Sequence, residues 1–348
     1  MNLRRVCLVP RLSGVGGMVS FQAKLAAGLA QRGIDTCFDL RDQPYQAVLV
    51  IGGTRALPGL WRARRQGVPV VQRLNGMNWI HRVPAVEGKR RTGLRHFLRS
   101  EYGNFLLQWI RSRLADRVVY QSHFARTWWE REYGPTSVPD NVVYNGVDLQ
   151  KYSPMGGGER PDDVYRILLV EGNLAGGYES GLENAVLLAE SLRDQHALPV
   201  ELMVAGNVAE SVRVGWSGRT RVPIRWAGLV PAERIPEIDR SAHVLFSADL
   251  NAACPNSVVE ALACGLPVVA FDTGALPEML GPHSGRVAEY GGDPWRLAPA
   301  DLGPLALAAV KILEGQATYR AGARRRAEEL FGLDRMVESY LDVLAGTL

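Results

Sequence analysis

Cys254-Pro255-Asn256-Ser257-Val258-Val259-Glu260 runs straight into Ala261-Leu262-Ala263-Cys264-Gly265-Leu266-Pro267-Val268-Val269-Ala270. A proline start, a short helical pattern ending at glycine and an apolar run read as loop, helix and strand. The first amides of such a helix have no intrahelical acceptor and carry partial positive charge. The turn at Asn256, Ser257 and Val258, with Ala253 just before it, can therefore hold a phosphate. Glu260, one turn further in, can then accept hydrogen bonds from ribose hydroxyls. A second candidate is Ser13-Gly14-Val15-Gly16-Gly17-Met18, between an apolar run and a helical pattern. Glycine there lets the backbone approach a ligand, with Gly16 and Gly17 nearest the helix start. The dinucleotide fingerprint is incomplete, because the third glycine at the usual offset is missing, so a plain strand-to-helix turn stays open.

Arg73-Leu74-Asn75-Gly76 closes an apolar run and leads into Met77-Asn78-Trp79-Ile80-His81. Polar groups at the carboxyl end of a parallel strand face the binding crevice, which makes Arg73 and Asn75 candidates. His81 stands alone and reads as a structural imidazole. Ser122 fits an N-cap and Asn145-Gly146 a turn, so structure alone explains both.

These residues need a frame, and the pattern of the chain supplies one. Short apolar runs alternate with helix-length stretches, the order that builds parallel sheets covered by helices. Strands are expected at Val6–Pro10, Thr36–Leu40, Ala47–Ile51, Val68–Leu74, Arg117–Gln121 and Val142–Tyr144, with helices at Met18–Arg32, Leu60–Arg65, Arg95–Leu114 and Phe124–Tyr133. Tyr152-Ser153-Pro154-Met155-Gly156-Gly157-Gly158 and the polar run after it read as a linker. The pattern then restarts with strands Arg166–Val170, Val200–Ala205, Ile224–Trp226, His243–Ser247, Pro267–Phe271 and Gly285–Ala288. Helices are expected at Gly181–Gln195, Ala232–Ser241, from Asn256, and at Leu305–Leu313, Tyr319–Phe331 and Asp334–Leu344. The expected domains are 1–155, 156–332 and a terminal helix, 333–348, that returns to the first.

Bulk properties agree with two ordinary globular domains. The chain has 348 residues, 47% hydrophobic and 22% charged. No segment is apolar for the roughly 20 residues a bilayer span takes. Cys7 to Pro10 is too short for the apolar core of a secretory signal. Four cysteines without CxxC spacing or nearby histidine suggest neither a metal site nor a disulfide framework, and a reducing cytoplasm is expected. A net charge of +4 gives no reason to invoke nucleic acid. Between Arg82 and Arg117, however, nine basic residues face Glu87, Glu101 and Asp116, interleaved with aromatic and apolar ones. Such a segment can lie on an anionic membrane surface or hold an anionic acceptor, and a solvated helix face is the alternative.

The run from Cys254 to Ala270 closely resembles the donor-site signature of the retaining nucleotide-sugar glycosyltransferases of family four, group 1. The Gly-rich first loop, the Ser-x-Phe helix start at Ser122, Asn145-Gly146-Val147-Asp148 before the linker and Gly228-Leu229-Val230 extend the resemblance along nearly the whole chain. It implies an α/β chain of two Rossmann-like doubly wound domains facing a cleft (GT-B). The donor nucleotide would lie on the second domain and the acceptor on the first. It further implies that Gly16 and Gly17 reach toward the donor diphosphate, that Val230 sits in the nucleobase loop, and that Gly172 and Asn173 end the opening strand beside the donor. Asn75, Arg73 and Asn173 are the catalytic candidates, with Arg73 a candidate diphosphate ligand.

Departures from the family pattern are specific. Relatives usually carry Arg and then Lys-Gly after the opening strand of the second domain, where this chain has Asn173, Gly176 and Gly177. Of the two glutamates spaced eight apart, Glu260 matches the second, and Ala252 replaces the first. The reading is transfer of a sugar, with retention and without metal or other cofactor, from a nucleoside diphosphate sugar to a saccharide or lipid-linked acceptor. The expected location is cytoplasmic, peripheral at the inner face of the membrane. A nucleotide-sugar epimerase on the same architecture and a nucleotide-sugar-binding protein without turnover stay open.

Overall fold

The computed structural model describes residues 3–14, 16–83, 93–173 and 179–347. Two compact units divide the chain: Met1–Gly146 with Leu333–Leu348, and Val147–Gly332. Unit 1 opens with β1 (Arg5–Val9), α1 (Gly17–Gln31), β2 (Asp35–Cys37), β3 (Ala47–Ile51), α2 (Leu57–Arg65) and β4 (Val70–Leu74). It continues with α3 (Leu94–Arg113), β5 (Arg117–Tyr120), α4 (His123–Tyr133) and β6 (Asp140–Val142). Unit 2 contains β7 (Tyr165–Asn173), α5 (Glu179–Asp194), β8 (Val200–Asn207), α6 (Glu210–Ser217), β9 (Ile224–Gly228) and α7 (Ile235–Arg240). After these come β10 (Val244–Ser247), α8 (Asn256–Ala263), β11 (Val268–Phe271), α9 (Leu276–Met279), β12 (Gly285–Ala288), α10 (Leu302–Glu314) and α11 (Gln316–Leu330). The final helix, α12 (Leu333–Ala345), belongs to unit 1.

Both sheets are six-stranded and parallel, in the orders β2-β1-β3-β4-β5-β6 and β12-β11-β10-β7-β8-β9. This is the two-Rossmann α/β class. In each, strand order reverses beside the first strand, between β1 and β3 in unit 1 and between β7 and β10 in unit 2, and ligands of such sheets bind at that carboxyl edge. All five residues of β3 are buried, because helices cover both of its faces.

α12 shows why unit 1 takes a distant piece of sequence. Met336, Val337, Tyr340, Val343 and Leu344 recur at helical spacing and bury with Phe21, Leu25 and Leu29 of α1. The Phe21 and Tyr340 rings lie 5.1 Å apart. A Cβ on Gly28 would stand 2.5 Å from Val337 Cγ2, so glycine sets how closely the two helices approach.

Several element ends differ from the sequence reading. β2 stops at Cys37 rather than Leu40, where Asp39 turns back to pair with Arg41. α2 starts earlier, at Leu57, with Pro58 tolerated in its first turn. β6 covers Asp140–Val142 rather than Val142–Tyr144, and β7 runs on to Asn173. α6 and α9 have no counterpart in that reading; α6 is only eight residues long, and its Val212 and Trp216 are only partly buried against the core of unit 2. The Gly-rich stretch read as a linker packs inside unit 2, where Arg240 donates to Gly157 O at 2.6 Å and Ser153 O at 3.1 Å.

Candidate functional site

The carboxyl edge of the second sheet gathers the donor-site candidates. β10 ends at Ser247 and the chain loops to Pro255, the N-cap of α8, which supplies no side-chain cap. No acid occupies the first turn of α8. Val258 is fully buried, so it can offer a ligand only its backbone, whereas Ala253, Asn256, Ser257 and Glu260 are half-buried. The opposite end of α8 is closed by Gly265 at φ +69°, with Gly265 N on Leu262 O at 3.0 Å and Leu266 N on Ala261 O at 2.8 Å. Ala252, where the resemblance places a glutamate, has its carbonyl held by Ala275 N at 2.8 Å.

Further along the same edge, β7 and β8 slip register between Val170 and Asn173. Gly206 faces this bulge with φ +154°, and a Cβ there would lie 2.0 Å from Glu171 O. Gly172 is exposed in the bulge. The side chain of Asn173 and residues 174–178, with Gly176 and Gly177, lie outside the described residues, as does Val15 in the first Gly-rich loop. At the ends of β8 and β9 a cavity of about 170 Å³ is lined by Gly206, Asn207, Val208, Arg213, Trp226, Gly228 and Leu229. Val230 follows directly, half-buried.

Neighbouring strands lie roughly 5 Å apart, so the row from α8 at β10 to this cavity at β9 extends about 15 Å along one sheet edge. Two carboxylates that sequence reading did not single out sit in this row. Burial and the neighbouring Asp249 push the Glu171 carboxyl well above its ordinary range, and burial also raises Asp249. Arg213 and Trp226 were also missed, since only the fold brings α6 and β9 to one cavity. The Ser217 hydroxyl accepts from Trp226 Nε1 at 3.3 Å.

Behind Glu260, Asp239 of α7 is 1% exposed and its Oδ2 has no hydrogen-bond partner. Burial first, then the charge of Glu260, raises its carboxyl well above the ordinary range, while Cys264 opposes the shift. The native state therefore holds this proton more tightly than the unfolded chain does. The stability this lends is complete below the unfolded value and is lost as pH rises through the folded one. Asp239→Asn should match the wild type near about pH 4 and exceed it in stability near about pH 8, where the buried carboxyl of the wild type is pressed to ionise. Urea titrations at both values read the difference, and parallel curves at the two pH values would defeat the assignment.

In unit 1 the structure corrects one residue outright. Arg73 is 1% exposed, and its guanidinium stands 3.7 Å from the Phe21 ring centroid. Its Nη2 donates to Asn145 Oδ1 at 2.8 Å, and the Gln121 amide oxygen accepts from Nη2 at 2.7 Å and Nη1 at 2.9 Å. A cation so enclosed ties the strand ends together and is not a diphosphate ligand. Asn75 is half-buried just beyond β4, and its carbonyl accepts from Trp129 Nε1 at 2.7 Å. His81 is structural: Nε2 meets Glu101 Oε1 at 2.7 Å and the ring packs edge-on to Phe97. Arg82 and then His81 hold the Glu101 carboxyl down to about 2. Gly16 caps α1 with φ +145° and Gly17 opens the helix, both exposed. Ser122 caps α4, accepting from Ala125 N at 3.0 Å.

Two family models divide this chain much as the structure does: "Glycosyl transferases group 1" matches residues 166–314 and "Glycosyltransferase Family 4" residues 38–151. Both models describe glycosyltransferases, and the chain is a glycosyltransferase. No curated protein sequence matches it. Among solved structures, sucrose-phosphate synthase from Thermosynechococcus elongatus is 15% identical, with a TM-score of 0.73 over 99% of both chains. Anabaena HepE in complex with UDP and glucose is 17% identical, with a TM-score of 0.65 over 99% of this chain and 100% of that one. WaaG, a glycosyltransferase involved in lipopolysaccharide biosynthesis, is 14% identical, with a TM-score of 0.65 over 98% and 100%. At such identities the likeness is one of fold, the two-domain GT-B architecture of glycosyltransferases. Among the described residues no group of three or more His, Cys, Asp or Glu is placed to hold a metal ion. No helix among them is long and apolar enough to cross a membrane.

Proposed function

We propose that this glycosyltransferase takes a nucleoside diphosphate sugar on unit 2 and transfers the sugar with retention, without a metal, to a saccharide or lipid-linked acceptor. One observation carries the reading: the uncapped start of α8, Glu260 and the cavity at β9 line up along one carboxyl edge at a strand-order reversal. The diphosphate sits on the amides from Ala253 to Val258, the ribose on Glu260 and the base in the cavity beside Trp226 and Val230. As the sugar–phosphate bond breaks, charge grows on the diphosphate, where the helix start stabilises it without reorganising. The departing diphosphate takes the acceptor proton on the face where the new bond forms. The UDP bound to the similarly folded HepE supports a nucleotide on this architecture.

A panel of UDP-, GDP- and ADP-sugars should raise the unfolding temperature for one nucleotide series, because a ligand of the native state alone adds stability. Nucleoside diphosphate should then be released only with acceptor present. Conversion of donor alone would instead indicate an epimerase, and binding without release a protein that has lost turnover. No thermal response to any nucleotide sugar would overturn the reading.

For the acceptor side, α3 supports contact with an anionic membrane surface. Leu94, Leu98, Tyr102, Phe105 and Trp109 are 42% to 61% exposed, and at about 100° per residue they form one stripe, with Arg95, Arg99 and Arg113 beside it. The basic cluster is smaller than the sequence suggests. Arg111 is buried on Tyr120 and Gly134, Arg82 pairs with Glu101, and Lys89, Arg90 and Arg91 lie outside the described residues. Phe105→Ser/Trp109→Ser should abolish sedimentation with phosphatidylglycerol vesicles. Sedimentation equal to wild type would remove the membrane from the proposal.

A further inference from the structure

Between the end of β10 and the start of α8, Asn251 is 4% exposed and stands in the left-handed backbone region at φ +56°. Asparagine is one of the few residues with a Cβ that visits this region readily. The backbone around it is clamped. Gly274, at φ +62°, comes so near that a Cβ on it would lie 2.6 Å from Ala252 N and 2.8 Å from Asn251 C, and Ala275 N donates to Ala252 O at 2.8 Å.

The Asn251 side chain, by contrast, is not engaged. Its Nδ2 is enclosed without a hydrogen-bond partner, and among the described residues Oδ1 has none either. Buried amides normally have their bonds made, because giving up water without a replacement costs free energy. With neither end bonded, nothing in the protein fixes which way round the amide stands, and a half-turn about Cβ–Cγ presents either atom. Ala252, next to it, offers a ligand only a methyl group. Two acids border the same loop: Asp249, two residues earlier, and Glu171, in the bulge of β7, the strand paired with β10. Among the described residues neither forms an ion pair with a cation. A ligand that suits this set accepts from an amide, donates to carboxyl oxygens and brings no negative charge. A hydroxyl does all three, whereas a phosphate or carboxylate meets the amide but is repelled by the acids.

We propose that Asn251 reads a hydroxyl of the transferred sugar, and that this sugar is uncharged. The inference rests on the donor alignment proposed above: the loop runs directly into Ala253, where the diphosphate contacts begin, so the part of the donor beside Asn251 is its sugar. Calorimetric titrations with UDP-glucose, UDP-N-acetylglucosamine, GDP-mannose and ADP-glucose, each beside its free nucleoside diphosphate, test it. Asn251→Gly keeps the left-handed backbone and should match the wild type in unfolding temperature and in affinity for the free diphosphate. Affinity for the nucleotide sugar should fall about threefold to tenfold. Asn251→Asp, of the same shape, adds a third acid and should lose at least as much. The uronic acid donor of the same nucleotide series should bind the wild type more weakly than the neutral donor, by about tenfold or more. Unchanged nucleotide-sugar affinity in Asn251→Gly, an equal loss for sugar and free diphosphate, or uronic and neutral donors bound alike would each overturn the proposal while leaving the donor alignment in place. Binding of no nucleotide at all would overturn both.

Discussion

Glu260→Ala should weaken binding of the donor nucleotide by about tenfold to a hundredfold, the loss expected when hydrogen bonds to a charged acceptor disappear. Folding should survive, because the side chain is half-buried at the sheet edge and not part of the core. Stability at alkaline pH should even rise, since the Glu260 charge is one of the forces that disfavour ionisation of buried Asp239. Calorimetric titration with UDP, GDP and ADP, beside urea unfolding at two pH values, reads both effects. Nucleotide affinity equal to wild type would remove Glu260 from the ribose site and with it the donor alignment along this edge.

Arg73→Met should cost about 3 to 5 kcal/mol, because it leaves the acceptors on Asn145 and Gln121 buried without their donor and takes the cation from the Phe21 face. The urea midpoint should fall sharply, while the molecules that remain folded bind nucleotide as the wild type does. The opposite pattern, an unchanged midpoint with weakened nucleotide binding, would return Arg73 to the donor site.

Arg73 also shows where sequence reading stops. Its place at a strand end was legible from the apolar run before it, but its partners lie at Gln121 and Asn145, distant in sequence, and only the fold shows that they enclose it. Glu171 with Asp249, and Arg213 with Trp226, escaped for the same reason. α8 was legible because its punctuation is local: proline before, glycine after, an apolar strand beyond. The alternation of strands and helices was legible because buried parallel strands are short apolar runs, and it failed at α6, an eight-residue helix whose two core-facing side chains are only partly buried.

The placement of α12 bears on how this enzyme is made. Unit 2 is continuous in sequence and can mature as soon as it is synthesised, whereas unit 1 needs a segment encoded beyond all of unit 2. Until that segment emerges from the ribosome, Phe21, Leu25 and Leu29 lack the neighbours that cover them, so the earlier-born unit is the later to finish.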